Sequence, residues 1–356
     1  MSTTVAGVSL RGQKLPSWAP IGCAVLAALL TLAIFAVSSV SGHAEFGVLL
    51  VSLFIVIQTA ASFFVEGRRQ AKNRLFTTFV YGAFLAAMVP LVFILETVVS
   101  KGIGGISGGF LSHSMFLIDP SGKGGGAYHA IVGTLEQGLI AGLIAAPLGI
   151  LAAIYLVEYG RRAPFARVIS FFVDIMVGVP SIVAGLFVYA LWILVLGFQK
   201  SGFAGSLALF IIMMPLVIRS TEEMLRLVPA ELREASYALG IPKWKTILRI
   251  VLPSAIGGIV TGVMLGLARI MGETAPLLLL VGGNSKINFN PFSFGSTPNP
   301  QMSLPTYINE QFGIATGNPD APAFHRAWAA ALTLIVIVML LNGVARLIAH
   351  LTRARA

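Results

Sequence analysis

Apolar residues occur in eight long runs separated by shorter polar segments. A run of about 20 apolar residues is the length of helix that crosses the hydrocarbon core of a bilayer. The pattern predicts eight membrane-spanning helices, near residues 20–41, 46–65, 75–99, 129–157, 168–197, 204–219, 252–281 and 327–349. The sixth run is the shortest, and its helix is predicted to continue past Arg219. In the fifth, Gly178 and Pro180 predict a kink.

The first run raises the question of a cleaved signal peptide, since Arg11 and Lys14 precede it. However, it is longer than the apolar region of a secretory signal, and a second apolar run follows almost at once. These two features favour a helix that is retained in the mature protein.

Composition and charge agree with a membrane protein. The chain is 56% hydrophobic and only 11% charged, whereas soluble domains carry about 25% charged residues. A net charge of +10 is compatible with nucleic-acid binding or with basic cytoplasmic loops. Of the 24 basic residues, 18 fall in one alternating set of loops and 5 in the other. This split predicts an inner-membrane protein with both termini in the cytoplasm and no nucleic-acid partner.

The sequence has no chemical centre of its own. Its Gly122-Lys123 pair is followed by glycine and lacks the spacing of a phosphate-binding loop. Cys23 is the single cysteine, so neither an internal disulfide nor a Cys/His metal site is expected. The chain is therefore predicted to be a non-enzyme without cofactors, and ATP hydrolysis is assigned to a partner chain.

Two long loops, 100–128 and 282–326, lie on the side with few basic residues. The first is rich in glycine, and the second is rich in Asn, Pro and Ser. Such compositions predict irregular structure. Composition alone leaves two possibilities open, namely a surface for a soluble partner or a solvated linker.

The segment between the sixth and seventh runs predicts a short helix, a tight turn and a second helix. Pro229 suits a helix start, and residues 230–239 are mostly good helix formers. Gly240 lies where a left-handed residue ends a helix, and Pro242 opens the next helix.

Leu232, Ala235 and Leu239 form a small apolar ridge on this short helix, flanked by charged residues. The ridge suits docking into a groove of a partner. An ordinary connection between helices is the main alternative. A DNA-reading helix is disfavoured because the second helix continues into the membrane.

Here the sequence resembles the permease subunits of ATP-driven (ABC) importers of type I. Glu234-Ala235, Gly240, Ile250 and Leu252-Pro253 are similar to the "EAA…G…I-LP" signature of that family. The resemblance implies an all-α polytopic bundle whose loop docks on a cytoplasmic ATPase and transmits its closing motion. The residues it assigns to this coupling are Glu231, Glu234, Ala235, Leu239 and Gly240.

Residues 219–229 and 268–276 more narrowly resemble phosphate-specific permeases of the PstA type. This implies a six-helix permease domain at 75–356, with a coupling loop at 220–250, and an N-terminal extension at 1–74 with two membrane helices. The implied partners are a homologous PstC-type permease, two PstB-type ATPases, a PstS-type extracytoplasmic phosphate-binding protein, inorganic phosphate and membrane lipid.

The seventh run contains Arg269 and Glu273, spaced so that a continuous helix would place both on one face. Charges at bilayer depth are costly and usually face the protein interior or a water-filled path. The planar guanidinium fork matches the oxygens of phosphate. We expect Arg269 to line the translocation path and Glu273 to orient it, with a structural ion pair as the alternative.

Arg219 is a second path candidate, by resemblance to a functional arginine of the family. Its position in the sixth run places it at a different depth from Arg269, so it either acts in sequence with Arg269 or reaches to the membrane interface. Asp174, in the fifth run, is interpreted as a partner for a basic residue or as a polar group at the cytoplasmic end.

Three other functions stay open at this point. The chain is also compatible with a permease for another oxyanion, such as sulfate, molybdate or phosphonate. An ion-coupled secondary anion transporter would instead be expected to show inverted repeats, which are not evident. A non-transporting scaffold or sensor subunit would leave transport intact when it is deleted.

Overall fold

A computed structural model describes residues 14–37, 42–160, 163–294 and 297–353. Within those ranges the regular structure is helical, apart from isolated β-bridges. The helices are α1 Ala19–Val37, α2 His43–Glu66, α3 Arg68–Gly102, α4 Gly108–Ser112, α5 Tyr128–Ile154, α6 Pro164–Gly178, α7 Ser181–Val188, α8 Gly202–Arg226, α9 Ala230–Ala238, α10 Lys243–Thr246, α11 Leu252–Met271, α12 Ala275–Leu280, α13 Leu304–Ala315 and α14 Pro322–Arg353. Turns of π-helix extend α5 over Tyr155–Tyr159 and α7 over Tyr189–Val195, and join α10 to α11 over Ile247–Val251.

The described residues contain 7 helices long and apolar enough to cross a membrane, and 8 spans if one bent pair counts as a span. The predicted all-α membrane bundle of about eight spans is therefore confirmed. The sixth span, α8, continues to Arg226 as predicted. The seventh differs from its prediction, because α11 ends at Met271 and α12 begins at Ala275.

The fifth span is the bent pair, with 109° between α6 and the helix beginning at Ser181. Its cause is local, since the ring of a proline disfavours the helical region for the residue before it. Val179 accordingly has φ −72° and ψ 130°, which interrupts the helix between Gly178 and Pro180. The kink predicted from these two residues is confirmed.

The chain divides into two compact units, Met1–Leu95 and Glu96–Ala356, with the division inside α3. The predicted boundary at residue 74 lies earlier, and the assignment of 75–356 as the permease domain stays a prediction. In the first unit α1 packs against α2. There the side chain of Glu66 is only 5% exposed and forms an ion pair with Arg74.

In the second unit α8 packs between α5 and α11. The interior contains small and medium side chains, including Ala141, Ala145, Met213 and Ile270, each almost fully buried. Gly262 allows close approach, since a Cβ there would lie 2.3 Å from the Oγ of Ser220. Small residues at such crossings are the usual means of packing helices in a membrane.

The segment 282–326 is not irregular throughout, as its composition had predicted. It contains α13, which begins with a capping box formed by Ser303 and Thr306. Before α13 the chain returns to the bundle, where the Nε2 of Gln137 donates to the Oε1 of Gln301 at 3.1 Å. Leu304 and Tyr307 of α13 are fully buried. The helix α13 is thus part of the buried core of the bundle.

The glycine-rich loop at 119–124 is held by Arg326 of α14. The guanidinium donates to the carbonyls of Gly122 at 2.8 Å, Gly124 at 3.0 Å and Pro120. Its Nε donates to Gln311 at 2.8 Å. In the same loop the hydroxyl and backbone N–H of Ser121 both donate to Asp119, and these bonds lower the pKa of that carboxyl. This loop is therefore an ordered cap on the bundle.

Replacing Arg326 with Met should loosen this cap, because four acceptors lose a charged donor. Each hydrogen bond to a charged group contributes about 1.5–3 kcal/mol, so local opening should become roughly 10-fold to 100-fold more frequent. The measurement is the rate of tryptic cleavage after Lys123 in the purified chain.

Lys286→Met is the matched control, since Lys286 is an exposed cation whose Nζ lies 5.5 Å from the centre of the Phe116 ring. An exposed cation–π contact contributes only about 0.5–1 kcal/mol. Equal cleavage rates in the two variants would contradict the role given to Arg326.

Candidate coupling loop and translocation path

The short helix α9 forms as the sequence predicts. Pro229 precedes its first residue, and Gly240 has φ +73°, a conformation that glycine adopts without steric cost. The N–H of Ile241 donates to the carbonyl of Ser236 at 3.2 Å, and that of Gly240 to Tyr237 at 2.9 Å. These two bonds form a Schellman motif, which fixes the direction of the chain after α9.

One face of α9 is exposed to solvent. The residues predicted to contact an ATPase are all exposed, namely Glu231, Glu234, Ala235, Leu239 and Gly240. Leu239 is 80% exposed, so its side chain contributes little to the stability of this subunit alone. An exposed apolar side chain on a rigid helix is suited to a partner surface.

The opposite face of α9 is fastened to the bundle. Ser236 is buried, and its Oγ lies 2.7 Å from the Oγ1 of Thr246 on α10. Lys243, the first residue of α10, donates to the backbone carbonyl of Glu158, and its Nζ lies 4.6 Å from the centre of the Tyr159 ring. Both α9 and α10 are therefore connected to neighbouring elements.

Arg233 makes the strongest of these connections. Its Nε and Nη2 donate to the Oε1 of Glu158 at 3.1 and 2.9 Å. It also donates to the carbonyl of Leu225 in α8 at 2.9 Å, and to those of Val228 and Pro229 just after α8 at 2.6 and 3.4 Å. The Glu158 side chain is only 6% exposed. One guanidinium thus joins α9 to α8 and to the π-turn after α5.

Sequence reasoning did not find Glu158. The signal that could have found it is a carboxylate within the apolar run Tyr155-Leu156-Val157-Glu158-Tyr159. An ionisable residue in a membrane span requires a partner. That partner is 75 residues away in the sequence.

Arg269 lies in a different setting from Arg233. It lines an apolar cavity of about 310 Å³ at the bend of the fifth span, with Val179, Val183 and Phe187 among the other lining residues and Leu216 contributed by α8. Arg269 is exposed, and among the described residues no carboxylate forms an ion pair with it. The other residues lining this cavity are apolar, so Arg269 provides its charge.

Glu273 does not share a helix face with Arg269, and this expectation was wrong. The N–H of Gly272 already bonds to the carbonyl of Arg269 as the helix ends. Glu273 follows in the non-helical link before Pro276, which lies in the first turn of α12. The i, i+4 relation requires a continuous helix, and here the helix stops between the two residues.

Arg219 donates to three protein acceptors. It donates to Glu222 at 2.6 Å, to the carbonyl of Ser170 at 3.1 Å and to Asp174. The interpretation of Asp174 as a partner for a basic residue is confirmed. Arg219 therefore joins α8 to α6, and its role in a translocation path stays a prediction.

The two arginines lie at different levels along the bundle. Gly262 of α11 packs on Ser220, the neighbour of Arg219. Arg269 lies seven residues further along α11, which is about 10 Å at 1.5 Å per residue. The difference in depth inferred from the sequence is thus retained in the structure.

Comparison with known proteins agrees with this architecture. Residues 145–354 match the family described as binding-protein-dependent transport system inner membrane component. The phosphate transport system permease protein PstA of Mycobacterium leprae (strain TN) is 51% identical over 279 residues, which are 78% of this chain and 88% of the relative. PstA 1 of Mycobacterium tuberculosis (strain CDC 1551 / Oshkosh) is 48% identical over 289 residues, 81% of this chain and 92% of the relative.

The chain belongs to this family of transport permeases. Within it, the chain is a PstA-type permease, as the resemblance of residues 219–229 and 268–276 had indicated. A solved bacterial ABC transporter involved in the import of the polysaccharide alginate has a TM-score of 0.51 at 16% identity, over 80% of this chain and 99% of that one. That likeness shows the fold.

Family membership places the permease in the inner membrane as a multi-pass subunit of an ABC importer. It favours this function over an ion-coupled secondary transporter. It also implies that the importer contains a partner permease and ATPase chains. This chain is a membrane component of that importer.

Replacing Arg233 with Met should destabilise the permease strongly, because Glu158 would be left buried without its partner. The expected cost is about 3–5 kcal/mol. The apparent midpoint of thermal unfolding in detergent should fall, and amide hydrogen exchange in α9 should accelerate.

Arg226→Met is the matched control. Arg226 is 68% exposed and pairs with Glu222, which keeps its bond to Arg219. Exposed pairs contribute about 0–1 kcal/mol, so the control should unfold near the unsubstituted midpoint. If both variants fell equally, the assignment of Arg233 as the main anchor would be wrong.

Proposed function

We propose that this permease forms half of the translocation path of an ATP-driven, binding-protein-dependent phosphate importer. The proposal draws its substrate from the relatives named phosphate transport permeases, at 51% and 48% identity. The single structural observation that carries it is Arg269, a guanidinium without a carboxylate partner among the described residues, at the wall of an apolar cavity beside a broken span.

The chemistry of Arg269 suits an oxyanion. A guanidinium stays protonated at bilayer depth and presents donors in a planar fork that matches two oxygens of phosphate. A binding site on a path must also release its substrate. In this proposal Glu273, four residues further on, opposes tight retention of the anion, and Arg219 acts only if its ion pairs open.

The proposed complex contains a homologous PstC-type permease, two PstB-type ATPases and a PstS-type phosphate-binding protein. Both termini of this chain lie in the cytoplasm, since the loops with most basic residues alternate with the others. The six helices within 75–356 form the permease domain. Loops 100–128 and 282–326 face the binding protein on the other side.

The contacts between α9 and the rest of the bundle would transmit the motion of the ATPases into the membrane. Closure of the ATPases moves α9 through contacts at Glu231, Glu234, Ala235 and Leu239. Because Arg233 joins α9 to two membrane-spanning elements, α9 cannot move without them. The motion would change access to the cavity at the bend.

Arg269→Leu should lower phosphate uptake by about 10-fold or more, since one charge-assisted contact contributes about 1.5–3 kcal/mol. Stability should not change, because Arg269 is exposed and pairs with no described carboxylate. The measurement is uptake of labelled phosphate by proteoliposomes containing the whole complex, with sulfate, molybdate or phosphonate as competitors.

Arg269→Lys is the conservative comparison, since it keeps the charge but loses the fork, and it should retain part of the uptake. Arg219→Leu should instead lower the unfolding midpoint. Normal assembly together with unchanged uptake in Arg269→Leu would refute the path role. Equal competition by sulfate would refute the phosphate assignment.

Leu239→Asp tests the coupling surface. The substitution should leave the unfolding midpoint unchanged, because Leu239 is 80% exposed. The ATPase retained on purification, and the ATPase activity that transport stimulates, should each fall by about 10-fold, because an apolar contact becomes a buried charge.

The control is Leu117→Asp, which makes the same change at a leucine that is 87% exposed. Leu117 lies in the loop before α5, whereas α9 contacts the π-turn after α5. This variant should retain the ATPase. Normal ATPase retention in Leu239→Asp would contradict the docking role of α9.

A further inference from the structure

The N-terminal unit contains a cavity that the permease function does not use. It has a volume of about 560 Å³ and is lined by residues of α2 and α3 and by residues at the start of α1, including Lys14 and Pro20. The family match begins only at residue 145 and so does not include the residues that line this cavity.

One wall of the cavity is a polar stripe along α3. Its members follow helical spacing and so lie on one face, namely Gln70, Asn73, Arg74, Thr77, Thr78 and Tyr81. They lie at the beginning of a membrane-spanning helix that starts at Arg68. A face in contact with lipid tails would be apolar, since polar groups there are costly. The hydroxyls of Thr77 and Thr78 already donate to carbonyls of their own helix. Gln70, Asn73 and Arg74, just before the apolar run at 75–99, therefore provide the polar groups for an occupant.

The base of the cavity has an excess of hydrogen-bond donors and positive charge. Glu66 already accepts from Leu15 N–H at 2.8 Å, from Ser62 at 2.7 Å and from the Nε and Nη2 of Arg74 at 2.6 and 2.7 Å. This leaves the Nη1 of Arg74 and the ammonium of Lys14 unused among the described residues. Three charged residues line the cavity, and they sum to one positive charge.

The other residues that line the cavity indicate which class of ligand it could bind. The amides of Gln70 and Asn73 add donors beside Arg74, whereas Phe54 and Tyr81 provide apolar and amphipathic walls. The occupant thus has an anionic group and an apolar part. The size of the cavity and its membrane location favour an amphiphile over a small ion.

Basic residues next to the cavity would concentrate such a ligand. Arg68, Arg69 and Lys72 are exposed at the start of α3. Lys and Arg side chains close to a membrane surface attract anionic lipid without defining a binding site.

We propose that this cavity binds the headgroup of an anionic phospholipid. Lys14 and the Nη1 of Arg74 contact the phosphodiester, the amides of Gln70 and Asn73 contact the headgroup, and the acyl chains run along Phe54 and Tyr81. The N-terminal unit is then a lipid-binding anchor for the permease.

The test is native mass spectrometry of the full-length chain, purified in detergent and titrated with phosphatidylglycerol, phosphatidylcholine or inorganic phosphate. Phosphatidylglycerol should bind at least about tenfold more tightly than phosphatidylcholine, with one lipid retained per chain. Inorganic phosphate in large excess should not displace it, because the ion lacks the apolar part.

Two variants remove the site in different ways. Lys14→Gln removes the unpaired cation, and Asn73→Trp fills the cavity while leaving the Glu66–Arg74 pair in place. Each should weaken phosphatidylglycerol binding by about tenfold, with an unchanged unfolding midpoint. Lys72→Gln is the matched control, since it removes the same charge as Lys14→Gln at a position on α3 outside the cavity. It should change binding less than twofold.

Several outcomes would overturn the proposal. Equal binding of the two phospholipids would remove the requirement for an anionic headgroup. An equal effect of Lys72→Gln and Lys14→Gln would show attraction to the basic surface without a defined site. Displacement by inorganic phosphate would assign the site to the free ion. Unchanged binding in Asn73→Trp would show that the lipid lies outside the cavity.

Discussion

The buried carboxylate of Glu158 and the guanidinium of Arg233 form the contact on which the cytosolic-loop architecture depends. Removing one partner of such a pair leaves an uncompensated polar group in an apolar environment, which is far more costly than losing an exposed ion pair. Because Arg233 also donates to carbonyls at the end of α8 and just after it, the pair fixes the position of a 9-residue helix that would be unstable alone. The exposed face of α9 is rigid because its opposite face is held.

Four arginines of the second unit differ in their acceptors. Arg219, Arg233 and Arg326 each donate to several protein oxygens on other elements, and each thereby joins parts of the chain distant in sequence. Arg269 has no such carboxylate partner in the described part of the chain, and it lines an apolar cavity. A guanidinium with saturated donors has little left for a substrate. This difference in hydrogen bonding distinguishes Arg269 from the three arginines that join elements of the fold.

The bend of the fifth span and Arg269, near the end of α11, line the same cavity. Pro180 interrupts one helix, and the link from Gly272 to Thr274 interrupts the other. Non-helical backbone at membrane depth is tolerated where it is buried in protein or lines a cavity. Both interruptions are therefore consistent with a path at this position. The N-terminal unit contributes a second cavity whose polar face is equally unusual for a lipid-exposed helix.

The amino-acid sequence by itself determined the eight apolar spans, the kink at Pro180, the limits of α9 between Pro229 and Gly240, and the family. Each of these depends on local features, such as apolar run length, the fixed geometry of proline or the left-handed freedom of glycine. The helix α13 also had a readable signal in Ser303, Pro305 and Thr306, which the loop-like composition of its surroundings obscured. The tertiary structure alone decided which arginine is engaged, that α11 ends before Glu273, and that Glu158 anchors α9. The first and the last of these outcomes depend on residues that lie far apart in the chain, such as Glu158 and Arg233, which only folding brings into contact.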